Sequence, residues 1–364
     1  MILSHLTFIR ESSSRILLES GARSHLSNFV DLDFVTSATL IADTNVYSFH
    51  GSEVRDSLEH LFGSVTVITV PPGEGSKTRD TVAKIQDRLS EEKVDRRGLV
   101  VGLGGGVTLD IAGYVAATYL RGIPWIAMPT SLLAQVDAGI GGKTGVNTSK
   151  GKNLAGAFHP PLQVIIDPEV LNTLPLIEWR NGLVEAVKHA WIADADLFSL
   201  FENTASSLKS GPDSHLHDWL NAAIQVKISV VAEDPFELGK RSILNAGHTV
   251  GHAIEAATDH AIRHGFAVAR GLVVESRAAG ERTGLPVDHI RRLEHLLEEL
   301  EVLPPTNGID FDSLLPFLLR DKKNQRDHVR ISLPASLGRS SAIDGSWTID
   351  VQPDALRHAW ESFQ

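Results

Sequence analysis

"GLVVGLGGGVTLDIAGYVAATYL", residues 98–120, changes character in its middle. The first part is apolar and β-branched, which reads as a buried strand over 98–106 that runs into three consecutive glycines, Gly104 to Gly106. The second part, 107–120, carries apolar residues at helical spacing. A strand that turns through glycines into a helix lets backbone approach a ligand and points free N–H groups and a positive dipole end at it. A tight turn is the plainer reading of the glycines alone. Val107 stands where a G-x-G-x-x-G fingerprint has its last glycine, and no G-K-[ST] follows, so neither common phosphate motif is present. Asp110, one turn into the helix, adds a carboxylate suited to a ribose or amide group.

The alternation extends outward. "ATLIAD" (38–43), "VTVITV" (65–70), "PWIAMP" (124–129) and "LQVIID" (162–167) are short apolar runs bounded by turn residues, and "KTRDTVAKIQDRLSEE" (77–92) has helical spacing. Strand–helix–strand alternation predicts a parallel sheet flanked by helices. Beyond Pro175 the pattern becomes amphipathic helix, from 177–193 through 290–303, with "HVRISLP" (328–334) as the one strand-like run. The expected organisation is an α/β nucleotide-binding domain over 1–175 followed by an all-α domain over 176–364.

Composition narrows the function. The chain has 364 residues, 42% hydrophobic and 22% charged, enough for two cores. No apolar run reaches the roughly 18 residues that span a bilayer, and the first residues do not read as a signal peptide. The absence of cysteine removes disulfides and zinc thiolates and points to a reducing cytoplasm. A net charge of −11 argues against nucleic acid and anionic membrane as main partners, while leaving room for an anionic small molecule held by local cations.

Three further segments carry candidate chemistry. The polar stretch 129–160 sets Asp137, Lys143, Lys152 and Asn153 among glycines and small residues, with Arg121 just before it. It reads as a long loop, and long loops in compact domains commonly serve function. In "GLVEAVKHA" (182–190), Glu185 and Lys188 share one face of an otherwise apolar helix. In "KRSILNAGHTVGH" (240–252), Arg241, Asn245, His248 and His252 fall on one helical stripe, more polar than a core face and unlike a solvated Glu/Lys face. The two histidines are one turn apart, yet Thr249 replaces the Glu of a zinc protease H-E-x-x-H helix. His264 opens a further helix, and Glu185, His248 and His264 would form a His₂Glu shell with an open position.

In order along the chain, "LVVGLGGGVTLDIAGYVAATYLRGIP" (99–124), "QVDAGIGGKTGVN" (135–147), "GKNLAGAFHPP" (151–161), "TLP" (173–175), "GLVEAVKH" (182–189), "LNAGHTVGHAIEA" (244–256), "HGFAVARG" (264–271) and "DKKN" (321–324) resemble the 3-dehydroquinate synthase family. The resemblance implies an NAD- and zinc- or cobalt-dependent cyclase that turns 3-deoxy-D-arabino-heptulosonate 7-phosphate into 3-dehydroquinate and phosphate in the shikimate pathway. It implies a homodimer, and a site between a nucleotide domain and a helical domain. Transient oxidation by NAD would acidify the C–H needed for phosphate loss, and return of the hydride would leave no net redox change.

The resemblance also assigns residues. Glu185, His248 and His264 match metal ligands. Asp43, Asn45, Glu74, Lys77, Gly105, Gly106, Asp110, Thr130, Ser131, Lys152, Thr173 and Leu174 match NAD positions. Arg121, Asp137, Lys143, Asn153, Lys188, Lys227, Arg241, Asn245 and His252 match substrate positions, with Lys322 or Lys323. Glu237 and His252 match a general acid/base pair, so His248 would hold metal while His252 moves protons; Lys188 joins that pair as a catalytic position. Phe266 departs from the family's usual Glu in "HGE", and Ser131 from the second Thr of "PTT". Alternatives on the same scaffold are an amino-dehydroquinate synthase, a sedoheptulose 7-phosphate cyclase and, more distantly, a metal-dependent alcohol dehydrogenase. A non-catalytic binding protein would not need every charged site residue.

Overall fold

The computed structural model describes residues 13–30, 32–304, 308–319 and 328–362. Contacts divide the chain into two compact units, Met1–Pro129 with Gly142–Asp167, and Thr130–Gly141 with Pro168–Gln364. A single cut at 175/176 was the sequence expectation; the contacts place the change at Asp167/Pro168 and also assign residues 130–141 to the second unit.

The first unit is built on β1 (Arg15–Leu18), β2 (Ser37–Asp43), α1 (Thr44–Val46), α2 (Ser52–Phe62), β3 (Val65–Val70), α3 (Arg79–Glu91), β4 (Gly98–Gly104), α4 (Gly106–Thr118), β5 (Trp125–Pro129), β6 (Lys143–Thr148), β7 (Gly151–Phe158) and β8 (Gln163–Ile166). Six strands pair in the order β1-β8-β5-β4-β2-β3, and every pairing is parallel. β4 lies inside the sheet and is buried throughout, which is why it reads as a continuous apolar run rather than an alternating one. One face packs Leu40, Leu99, Val101, Leu103 and Ile126 against Val54 and Leu58 of α2. The helices α2, α3 and α4 return the chain to the same end of the sheet for β3, β4 and β5, and the adjacent ends of β2 and β4 bring Asp43 and the glycine turn into one neighbourhood.

Two expectations are corrected here. The stretch 129–160 is not one long loop: Ala134–Ala138 is helical, and β6 and β7 form an antiparallel hairpin. Its glycines and lysines hide the pairing because the ladder is held by backbone, with β7 exposed at alternate positions. β1 was not anticipated either, since four residues are too few for a clear period.

The second unit comprises α5 (Leu176–Ala193), α6 (Ala195–Leu208), α7 (Leu216–Glu233), α8 (His248–Ala257), α9 (His264–Thr283), α10 (Val287–Glu299), α11 (Phe311–Leu318), β9 (Val329–Ile331), β10 (Ile349–Val351) and α12 (Pro353–Glu361). α5 is buried along most of its length, and its Trp179 meets Trp219 of α7 edge to face with ring centroids 5.8 Å apart. A second cluster joins Val250 and Ile254 of α8 to Ala267 and Val274 of α9, Leu314 of α11 and Trp360 of α12. The one strand foreseen near 328–334 is β9; it has an antiparallel partner, β10, that was not foreseen. No helix among the described residues is long and apolar enough to cross a membrane.

Candidate functional site

In the first unit, the nucleotide-type residues gather where the strands end. Asp43 closes β2 and caps α1, its Oδ1 accepting from the amides of Asn45 at 3.0 Å and Val46 at 2.9 Å. Thr108 of α4 donates to Asp43 Oδ2 at 3.5 Å. The N-terminus of α4 is capped by Gly105 and receives no side-chain cap, so its first amides are available to an anion, with Gly106 already helical. Lys77 is nearly buried and reaches Asp110 Oδ2 and Asn153 Oδ1, each at 2.5 Å. Burial pushes the Asp110 carboxyl up, with Lys77 opposing that shift. Asn147 donates to Glu74 at 2.6 Å and accepts from the Asn153 amide at 2.9 Å, tying the hairpin to the turn that holds Lys77. Asp110, Lys143 and Asn153 line one cavity of about 360 Å³. A loop with unclaimed amides, a carboxylate beside it and a cavity fits a dinucleotide.

Arg121 is exposed and sits in the left-handed region, φ 68°, outside that cavity's lining. Lys152 is half-buried on β7. Thr130, Ser131, Thr173 and Leu174 belong to the second unit. There Ser131 accepts from the Ala134 amide at 3.3 Å, Thr173 donates to the Val170 carbonyl at 2.9 Å, and the Leu174 amide bonds to Leu171 at 3.1 Å.

In the second unit, Glu185 of α5, His248 at the start of α8 and His264 at the start of α9 converge. Glu185 Oε1 lies 3.8 Å from His248 Nε2 and 3.5 Å from His264 Nε2. All three donor atoms fall within 4.8 Å of one another. Tetrahedral zinc with bonds of about 2.0–2.1 Å separates its ligand atoms by roughly 3.3 Å. The trio therefore needs little adjustment to hold an ion. Glu185 Oε1 is buried and makes no hydrogen bond, an arrangement that costs free energy unless a cation meets it. Burial would raise the Glu185 carboxyl, yet Lys188 and His248 hold it well below the usual carboxylate range. Burial likewise opposes charge on His264, but the carboxylates of Glu185, 3.5 Å away, and of hydrogen-bonded Glu255 push it up to about 10. His248 is depressed by burial and by Lys188. The three groups together are thus close to neutral: an arriving ion finds His248 already unprotonated and takes the place of a proton on His264.

Lys188 is fully buried one turn after Glu185 and hydrogen-bonds its Oε2. It also approaches Asp137 Oδ1 at 3.7 Å. Asp137 lies in the helical turn Ala134–Ala138 and receives Lys227 at 2.7 Å and His189 Nε2 at 3.4 Å. Burial would raise Asp137, but Lys227, Lys188 and His189 hold it well below its ordinary value. Arg241 is buried as well and donates to the Pro235 carbonyl at 2.5 Å. With Asp137 and Glu185 ionised, these three buried cations leave one net positive charge before any metal arrives, which suits an anionic ligand.

The stripe expected through 241–252 is corrected: Arg241 and Asn245 lie in a 3₁₀ segment, Lys240–Asn245, and Gly247 turns left-handed at φ 76° before α8 begins. Asn245 instead holds Glu237, donating to Oε1 at 2.7 Å. Glu237 itself is at φ 59°, in a loop gathered by Asp234, whose carboxylate accepts the amides of Leu238, Gly239 and Arg241 at 2.9, 2.7 and 3.0 Å. His252 is exposed one turn beyond His248, with ring centroids 5.3 Å apart, and 5.9 Å from His264. Lys322 and Lys323 lie outside the described residues.

Asp234, His189, Glu255 and Glu275 were not singled out from sequence. Glu255 had a signal, three residues after His252 on the same helix; Glu275 and His189 had none, because their partners come from other helices.

Comparison with known proteins identifies the family. The family model described as 3-dehydroquinate synthase N-terminal matches residues 67–181, and the one described as 3-dehydroquinate synthase C-terminal matches 182–324. The 3-dehydroquinate synthase of Symbiobacterium thermophilum is 42% identical over 330 residues, 90% of each chain. Among solved structures, a 2-deoxy-scyllo-inosose synthase complexed with carbaglucose-6-phosphate, NAD+ and Co2+ superposes with a TM-score of 0.89 at 27% identity, covering 96% of each chain. A 2-epi-5-epi-valiolone synthase from Streptomyces hygroscopicus with NAD+ and Zn2+ bound gives 0.86 at 26% identity, covering 99% of each. With both family models matched end to end across 67–324 and a relative of that identity over nine-tenths of its length, this chain belongs to the 3-dehydroquinate synthase family.

Proposed function

We propose that the protein converts 3-deoxy-D-arabino-heptulosonate 7-phosphate to 3-dehydroquinate and phosphate, using NAD and one zinc or cobalt ion as resident cofactors. A relative named for that activity is 42% identical over nine-tenths of the chain. NAD+ with Co2+ or Zn2+ in two solved neighbours supports the cofactors. The observation that carries the substrate class is the buried cationic set Lys188, Lys227 and Arg241, three cations that suit a ligand bearing a carboxylate as well as a phosphate.

When bound, NAD supplies a hydride acceptor and donor and the metal a Lewis acid. The chain's own residues do the rest. Asp43, Asp110 and the amides opening α4 bind and orient the nucleotide, with Lys77 fixing Asp110. Glu185, His248 and His264 hold the ion. Lys188 and Lys227 place positive charge beside Asp137 and receive the anionic groups of the substrate. His252, exposed beside the metal histidines, and Glu237, oriented by Asn245, take and return protons. The same reading makes the protein a cytoplasmic homodimer, which light scattering on the purified protein tests.

The substrate assignment is tested by supplying the heptulosonate phosphate, sedoheptulose 7-phosphate and glucose 6-phosphate in parallel and measuring phosphate release. Turnover of the carboxylated substrate alone is expected; turnover of either sugar phosphate that lacks a carboxylate in its place would overturn the assignment.

A further inference from the structure

We propose that Glu255 and Glu275 are positioning residues that brace the two metal-binding histidines crosswise, each helix holding the ligand that its neighbour carries. The inference rests on the assignment of Glu185, His248 and His264 as ligands.

His248 and His264 are the first residues of α8 and α9. A helix's first turn is its least constrained, because four amides lack partners there. Both ligands therefore need outside support. Glu255, buried on α8, accepts from His264 Nδ1 at 3.0 Å. Glu275, fully buried on α9, accepts the Gly247 and Val250 amides, each at 2.9 Å, on either side of His248. The N-cap of α8 is Gly247, which has no side chain to satisfy those amides. Glu275 performs from another helix what Ser or Asp does at an ordinary N-cap.

The same contacts settle which tautomer each ring takes once it is neutral and free to bind an ion. A carboxylate beside His264 and a backbone carbonyl beside His248, Ala246 at 3.1 Å, are acceptors, so each Nδ1 carries its proton. Each Nε2 is then turned towards Glu185. Little slack exists between the helices: a Cβ on Gly271 would meet the Gly247 carbonyl at 1.9 Å. The α8 and α9 backbones are thus in direct contact beside His248, and the two carboxylates set where the imidazoles point. A competing geometry exists in which Glu255 ligates an ion with His252 and His264. Its bond to Nδ1, the ring nitrogen that faces away from Glu185, argues for orienting.

The test is zinc titration of the metal-free full-length protein against a chromophoric chelator, for Glu255→Ala, Glu255→Gln, Glu275→Gln and His264→Ala, with circular dichroism and steady-state kinetics. Lost outer partners typically weaken metal binding about 10–100-fold. That loss is expected for Glu255→Ala and Glu275→Gln, with one ion still bound at saturation and kcat restored by excess zinc. Glu255→Gln should fall between, since an amide oxygen still accepts from Nδ1–H. Zinc affinity within twofold of wild type in folded Glu255→Ala and Glu275→Gln overturns the brace. So does Glu255→Ala that binds no ion at any zinc concentration, which would make Glu255 a ligand. Should Glu275→Gln not fold, the two Glu255 variants decide. Wild-type zinc affinity in His264→Ala would instead refute the ligand assignment beneath the proposal.

Discussion

Replacing Lys188 with methionine should separate metal binding from catalysis in opposite directions. Its ammonium group is 1% exposed, hydrogen-bonded to Glu185 and 3.7 Å from Asp137. Methionine fills similar volume without charge. Asp137 would keep Lys227 at 2.7 Å, but Glu185 would lose its nearest cation. Removing one partner of a buried pair typically costs about 3–5 kcal/mol. At about 2–4 °C per kcal/mol, the metal-free variant should melt roughly 6–20 °C below the metal-free wild type. A bound divalent ion would satisfy Glu185 in the variant and would no longer be repelled by Lys188. Zinc should therefore raise the melting temperature more in Lys188→Met than in wild type, and bind at least as tightly, while turnover collapses. Differential scanning fluorimetry with and without chelator, beside a zinc titration, reads each part. Weaker zinc binding in the variant, or equal melting temperatures without metal, would refute the electrostatic account.

Three other outcomes follow from the geometry. His248→Ala should lose bound metal, whereas His252→Ala should keep it and lose about 10²–10⁴-fold in rate, as removal of a proton-transfer group does; elemental analysis with kinetics distinguishes the two, and equal metal loss in both would end the division of labour between them. Gly247→Ala should be among the more damaging single-methyl additions, because φ is 76° and the new Cβ would lie 2.7 Å from Leu272 Cγ and 2.8 Å from the Val268 carbonyl. The left-handed penalty of about 1–2 kcal/mol and overpacking of about 1–3 kcal/mol add, so wild-type stability by urea titration would contradict the packing. Asp110→Asn should weaken NAD binding roughly tenfold by cutting the charge that Lys77 and the nucleotide share, with metal content unchanged; a dissociation constant within twofold of wild type by calorimetry would remove Asp110 from the nucleotide site.

Much of the α/β unit was legible because its inner strands are buried on both faces and its edge strand β3 is a β-branched run. "VTVITV" is β3 to the residue, and "GLVVGLG" is β4. The hairpin β6–β7 was not legible, because it lacks an apolar period and is paired through backbone. In the helical unit, spacing placed Glu185 and Lys188 on one buried face and His264 at a helix start. It misplaced Arg241 and Asn245 on the histidine helix, because Gly247 breaks that helix and a single glycine does not announce a left-handed turn. The metal-type trio could be written down as a His₂Glu set from residue type, but among 16 histidines only the resemblance singled it out. Of the carboxylates behind the histidines, Glu255 offered only its spacing from His252 and Glu275 offered nothing, since both find their partners across the α8–α9 contact rather than along the chain.

The most direct measurement follows phosphate, 3-dehydroquinate and absorbance at the reduced-nicotinamide band together, with metal-loaded protein, excess heptulosonate phosphate and NAD supplied only at the protein's own concentration. The account predicts one phosphate and one dehydroquinate per substrate consumed over many turnovers, with no growing reduced-nicotinamide signal, and silence after chelation that zinc or cobalt reverses. Reduced nicotinamide accumulating in step with substrate loss, or undiminished turnover in protein shown to be metal-free, would contradict it.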